Sequence, residues 1–216
     1  MPKTEVLILG AGKAARYVAY IYSYYPDVTV FGFTDQNPDV WQHNLYGAQV
    51  LGSDEFGLEH AYQHGVRHVV VGVGAPALRA KLRSLAHSRG FSLLSAVHPS
   101  AIISRDVKIG HGTVIEAGCV LSDNPIISEN VWIGLAVTVC HDTYIGKDSS
   151  IGGGATIGGE VTIGECSQIG LAAIVQPGRA VGSNATVGSG ANVVSDIPDD
   201  VVVVGNPAKV LRQHGN

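Results

Sequence analysis

Every sixth residue from Ile103 to Val193 is isoleucine, leucine or valine, sixteen positions without a slip. The residue that follows is glycine at nine of them (Gly110, Gly134, Gly146, Gly152, Gly158, Gly164, Gly170, Gly182 and Gly188). A helix of 3.6 residues per turn would march such a stripe around its axis, and each glycine would cost roughly 1 kcal/mol relative to alanine. Short strands bent at regular corners accept the same pattern. The aliphatic side chain points into a coil, glycine serves the bend, and a small residue four places on keeps the next face close. A six-residue period of this kind predicts a parallel β-helix whose coils stack at about 4.8 Å. With no slip in the period, loops are short and functional side chains sit on the outer surface.

The rhythm occupies only the second half of the 216 residues, which predicts two domains. Residues 1–97 read as an α/β unit. An apolar run from Glu5 to Leu9 stops at Gly10-Ala11-Gly12, and a stretch of helical composition follows up to Pro26. Further apolar runs are Val28 to Phe33, ending at Asp35, Val66 to Val73, ending at Gly74, and Phe91 to Val97. Between the last two, Leu78, Leu82 and Leu85 share one helical face. Buried strands alternating with helices predict a small Rossmann-like parallel sheet. His98-Pro99-Ser100 is the linker, and residues 98–216 form the β-helix, which Ile197-Pro198-Asp199-Asp200 interrupts before a closing strand and tail.

Net charge of −4 without a basic run argues against nucleic acid and anionic membrane as partners. The apolar start of the chain is too short for a signal peptide or membrane span. Cys119, Cys140 and Cys166 are odd in number and lack paired spacing, as in a reduced, cytoplasmic protein. Charged residues make up only 15% of the chain, so the flat faces of the prism are expected to bury against other copies.

Two clusters carry candidate chemistry. Gly12, Asp35 and Gly74 each end a strand at the carboxyl edge of the sheet, where open α/β folds bind ligands. The glycine turn lacks a third glycine, having Ala15 in that place, and Asp35 alone also suits a turn. In the second half, His141 follows Val139 by two positions and therefore points outward beside Asp142, a carboxylate able to orient an imidazole. The nearby Gly153, Gly154 and Gly159 exceed what the bends require and leave backbone against which a long thin ligand can lie. His111, without an acidic neighbour, reads as surface.

Over its whole length the chain resembles the NeuD/PglD group of sugar acyltransferases of the hexapeptide-repeat superfamily. The residues that carry the resemblance are the GAG after the first strand, HPSA from His98 to Ala101, the ladder, His141-Asp142 followed by Ile145-Gly146, and VGNPAKVL from Val204 to Leu211. The resemblance implies a left-handed β-helix, a homotrimer with sites between neighbouring subunits, acetyl-CoA as co-substrate, and a nucleotide-linked amino sugar held by the first domain. It implies His141 as general base and Asp142 as its partner. It implies coenzyme contacts at Gly159, Leu171, Gly188, Ser189 and Gly190, and sugar-nucleotide contacts at Gly12, Lys13, Ala14, Asp35, Gln36 and Gly74. Many relatives read glycine-histidine where this chain has Lys13-Ala14-Ala15. Ser150 stands where some place a second histidine against the thioester, and a serine hydroxyl or backbone N–H there can serve the oxyanion.

These features predict an acetyl-CoA-dependent N-acetyltransferase without a metal. O-acetylation of a sialic-acid-like sugar uses the same residues and is the alternative. A γ-type carbonic anhydrase on the same prism needs three convergent histidines, and the ladder holds only His111 and His141. A non-catalytic scaffold leaves the His-Asp pair without a task.

Overall fold

The computed structural model describes residues 3–214 as two compact units. One runs to Gly74 and resumes over Leu78–Ala96; the other comprises Ala75–Ala77 and the chain from Val97 onward.

The first unit is built on β1 (Thr4–Leu9), α1 (Lys13–Tyr22), β2 (Val28–Thr34), β3 (Asn44–Leu45), β4 (Ala48–Gly52), α2 (Asp54–Gln63), β5 (His68–Val71), α3 (Pro76–Ser88) and β6 (Ser92–Leu93). The sheet order is β3-β4-β2-β1-β5-β6, parallel throughout except for the β3–β4 hairpin. Strands are laid down outward from β1 on one side and then from β5 on the other, so the order reverses between β1 and β5. That reversal opens a crevice at the carboxyl ends of the strands. Val6 to Leu9 are fully buried, as a central parallel strand covered on both faces requires.

The hairpin and α2, between Asp35 and Val66, are not marked by apolar periodicity. Helix α2 reads DEFGLEHAYQ, and its start is set by the Ser53 side chain, which accepts the Phe56 N–H, and by Asp54 and Glu55 in the first turn. Helix α1 stops at Tyr22, short of Pro26, and residues 91–97 contain two separate two-residue strands, Ser92–Leu93 and Ala96–Val97.

The second unit is a left-handed parallel β-helix. Sixteen two-residue strands run from Ile102–Ile103 to Asn192–Val193, and the second residue of each is the aliphatic one of the repeat. Each strand pairs in parallel with the strand eighteen residues away, as Val139 does with Ile157. One coil is therefore three hexapeptides, and the sixteen strands fall five, six and five into three sheets, the first of which grows to eight by adding Ala96–Val97, Val201–Val204 and Lys209–Gln213. From Ile115 on, every aliphatic residue of the series is at most 1% exposed. Each such burial contributes about 1.5–3 kcal/mol relative to exposure.

Glycine plays a different part in the repeat from the one its position suggests. The left-handed backbone that makes the corners lies three residues after the aliphatic one, recurring every sixth residue from Gly112 to Gly190. Nine of those fourteen corners are Asn, Asp, Ala, Glu or Cys, among them Asn124 (φ 65°) and Asp142 (φ 54°). The glycine directly after the aliphatic residue is required by close approach. A Cβ on Gly152 would stand 2.7 Å from the Leu171 nitrogen of the next coil. At the end of the ladder, Val201–Val204 adds to the eight-stranded sheet, and the tail forms an antiparallel strand, Lys209–Gln213, across it.

Candidate active site

His141 lies at the corner between the strand Thr138–Val139 of the six-stranded sheet and Tyr144–Ile145 of the five-stranded sheet. The left-handed turn at Asp142 throws both side chains outward, and each is a little over half exposed. His141 Nδ1 donates to Asp142 Oδ2 at 3.1 Å, and the Asn124 side-chain amide, one coil earlier on the same corner, donates to Asp142 Oδ1 at 2.8 Å. With Nδ1 holding that proton, Nε2 is the basic nitrogen. The Asn124 amide, then the His141 hydrogen bond, hold the Asp142 carboxyl below the usual carboxylate range. One coil later, Gly159 is buried against the imidazole: a Cβ there would stand 2.5 Å from Nε2 and 2.6 Å from Cε1. The ring is thus held in line by an amide-anchored carboxylate and laid on a bare backbone.

Leu171 and Gly188-Ser189-Gly190 lie elsewhere. Both segments turn from the eight-stranded to the six-stranded sheet, so they share one edge of the prism, and it is not the edge of His141. Leu171 is 62% exposed, and Ser189 and Gly190 are exposed above it. Ser150 sits within the eight-stranded sheet and is 8% exposed. Within one chain, the edge that carries His141 and the edge that carries Leu171 are separate.

In the first unit, Gly12 is the N-cap of α1 and supplies no side-chain cap to the first N–H groups of the helix. Gly10, Asp35, Gln36, Asp54 and Val73 line a pocket of 180 Å³ with Leu78 and Leu82. Asp35 Oδ1 accepts the Asn37 N–H at 2.9 Å, closing a tight turn that presents the rest of the carboxylate. Gly74 is exposed at the end of the β5 segment, and a Cβ there would meet nothing within 4 Å.

Residues 5–84 match the PglD N-terminal domain family. Among curated protein sequences none is similar enough to count as a relative. Among solved structures, PerB from Caulobacter crescentus, in complex with CoA and GDP-perosamine, is 33% identical with a TM-score of 0.89, over 95% of this chain and 96% of that one. The chain belongs to the NeuD/PglD-type sugar acyltransferases. The acetyltransferase domain of PglB from Neisseria gonorrhoeae, in complex with acetyl coenzyme A, is 32% identical with a TM-score of 0.89, over 97% of this acyltransferase and 100% of that domain. WeeI from Acinetobacter baumannii is 26% identical with a TM-score of 0.84, over 96% and 100%. The Caulobacter enzyme is also known as H141A and H141N mutants in complex with CoA and GDP-perosamine.

Three residues of this acyltransferase that sequence patterns do not single out stand next to the candidates. Asn124 is found by subtracting eighteen from 142 once the coil is known to have three sides. Thr34 and Asp54 come from β2 and α2, and no spacing signals their meeting. Among the described residues, no group of three His, Cys, Asp or Glu side chains is placed to hold a metal ion, and no helix is long and apolar enough to cross a membrane.

The carboxylate network makes a prediction. Asn124 donates to one oxygen of Asp142 and His141 to the other, so asparagine at 142 accepts from only one of them. Asp142→Asn also withdraws the charge that favours the imidazolium, and the ascending limb of kcat/KM is expected to move to lower pH. Asp142 itself, ionised well below the range in which an imidazole titrates, does not produce that limb. A limb at the same pH in wild type and variant, on one substrate, would assign it to another group.

Proposed function

We propose that this enzyme transfers the acetyl group of acetyl-CoA to the amino group of a nucleotide-linked amino-deoxy sugar, with His141 as the general base. The observation that carries the base assignment is the Asn124–Asp142–His141 line ending at an outward Nε2 over Gly159. The neutral amine attacks the thioester carbonyl, Nε2 takes the amine proton as the C–N bond forms, the C–S bond breaks to release the coenzyme thiolate, and the imidazolium returns the proton to give the thiol. Asp142 holds the imidazole tautomer and offsets the positive charge the ring acquires. The mutants of the Caulobacter enzyme, at a histidine with the same number, support this choice. The first unit holds the nucleotide, with the start of α1 facing phosphate and Asp35, Gln36 and Gly74 at the crevice. The β-helix carries the chemistry. Three free thiols suit a reducing compartment, the cytoplasm.

The coenzyme contacts are Leu171, Gly188 to Gly190 and Gly159, which lies beneath the base, with Ser150 of the eight-stranded sheet as the candidate hydroxyl for the thioester. Because these edges are separate within one chain, a homotrimer that sets one copy's His141 edge beside a neighbour's Leu171 edge completes the site. Exposed apolar side chains support it. Ile102, Val120 and Ile174, 67%, 38% and 41% exposed, stand on the six-stranded face, and Ile126 and Tyr144 on the five-stranded one. Light scattering is expected to give three times the chain mass of 22.5 kDa. A monomer at assay concentration removes the shared site.

The substrate reading is tested by following coenzyme A release with a panel of nucleotide-linked amino sugars and their hydroxyl counterparts. Release is expected with an amine acceptor and not with the corresponding alcohol. Release with the alcohols alone would replace N-acetylation by O-acetylation.

A further inference from the structure

The pocket at the carboxyl ends of β1 and β2 has a definite hydrogen-bond polarity, and a buried carboxylate sets it. Asp54, 6% exposed at the start of α2, accepts the Thr34 hydroxyl on Oδ1, and Thr34 Oγ1 in turn accepts the Gly10 N–H at 3.2 Å. Its other oxygen, Oδ2, accepts Gln36 Nε2 at 2.6 Å. The reverse amide orientation would set two acceptor oxygens at that distance with no proton between them. Gln36 is therefore held with its NH₂ on Asp54, one of its two N–H groups spent there, and Oε1, its only acceptor, is fixed on the side away from that carboxylate. Beside it, Asp35 uses Oδ1 on the Asn37 N–H and has only acceptor capacity remaining. Two adjacent residues thus present acceptors, while Val73, Leu78 and Leu82 supply apolar wall to the same pocket.

We infer that Asp54 is a positioning residue that locks Gln36 as an acceptor, so that the pocket selects its nucleoside diphosphate by a paired-donor edge. Two parts of a nucleoside carry such an edge: the N1–H and N2–H₂ groups of guanine, and the 2′,3′-diol of ribose. The uracil edge is acceptor, donor, acceptor, and brings a carbonyl oxygen against one of the two protein oxygens. The inference rests on the reading of the substrate as a nucleotide-linked sugar and adds what that nucleotide must offer.

Titration calorimetry on the full chain with GDP, IDP and 2′,3′-dideoxy-GDP tests it. IDP lacks the N2 amine and dideoxy-GDP lacks the diol, so each removes one source. In the wild type one of the two is expected to bind at least about tenfold more weakly than GDP, the loss typical of a hydrogen bond to a charged group, and which one identifies the source. That ratio is expected to fall to near one in Asp54→Asn, whose amide lets Gln36 turn over, and in Gln36→Met, an exposed position where the acceptor is deleted and the length kept. A purely structural defect would weaken all three ligands alike and leave the ratio unchanged. Three equal affinities in the wild type, or a ratio that survives in both variants, would overturn the inference and leave the nucleotide reading standing. Failure of the wild type to bind GDP, IDP and UDP alike would overturn the nucleotide reading, and the inference with it.

Discussion

Alanine at position 141 is expected to lower kcat for acetyl transfer by roughly 10²–10⁴, the range spanned by loss of a positioned general base. KM for acetyl-CoA should stay near the wild-type value, because Leu171 and the Gly188-Ser189-Gly190 turn lie on another edge of the prism. The fold should be untouched, since the His141 side chain is more than half exposed and its ring hydrogen-bonds to a neighbouring surface carboxylate. A kcat within about twofold of wild type would mean that the amine loses its proton directly to water, and His141 would be only a surface residue.

The second large effect comes from a residue with no functional group. Gly159→Ala puts a methyl group where a Cβ stands 2.5 Å from His141 Nε2, and the neighbouring backbone is pinned by Glu160 N–H to His141 O at 2.9 Å and Gly178 N–H to Gly159 O at 2.9 Å. The ring must give way, and a displacement on the order of 1 Å at the base is enough to cost about 10²-fold in kcat. Pre-steady-state mixing with acetyl-CoA and amino sugar would read that loss in the chemical step. Combining Gly159→Ala with His141→Ala separates the two roles. If the methyl acts only through the imidazole, the double variant is no slower than His141→Ala alone; an additive loss would mean that Gly159 also touches the coenzyme.

The β-helix is legible in the sequence because the same six-residue rule is stated sixteen times, and no single repeat has to be right. His141 is legible as an outward side chain for the same reason: its phase relative to Val139 is fixed. What lies above and below it is less so. A period of six leaves the number of sides open, and Asn124 and Gly159 become neighbours of the His141-Asp142 pair only when three hexapeptides close one coil. The role of glycine was hard to read for a related reason. The left-handed corners tolerate asparagine and aspartate, whereas the glycines answer to backbone one coil away. In the first unit the contacts of Thr34, Gln36 and Asp54 join β2 to α2 through a tertiary packing that no periodicity announces. The one local trace is the Ser53 cap, with Asp54 and Glu55 behind it.

The eighteen-residue coil also makes the active site discrete in a way few scaffolds are. Because each side chain is placed by its count along the coil, sliding the chain by one hexapeptide would carry His141 round to the next edge of the prism, with its core contacts still satisfied by another aliphatic residue. A change of eighteen would return it to the same edge one rung, about 4.8 Å, higher. Between those steps there is no stable intermediate placement. The offset between His141 and Leu171 can therefore change only in whole steps, so adjustment to a longer or shorter acyl chain falls to the side chains on the prism surface and not to the spacing of the scaffold itself.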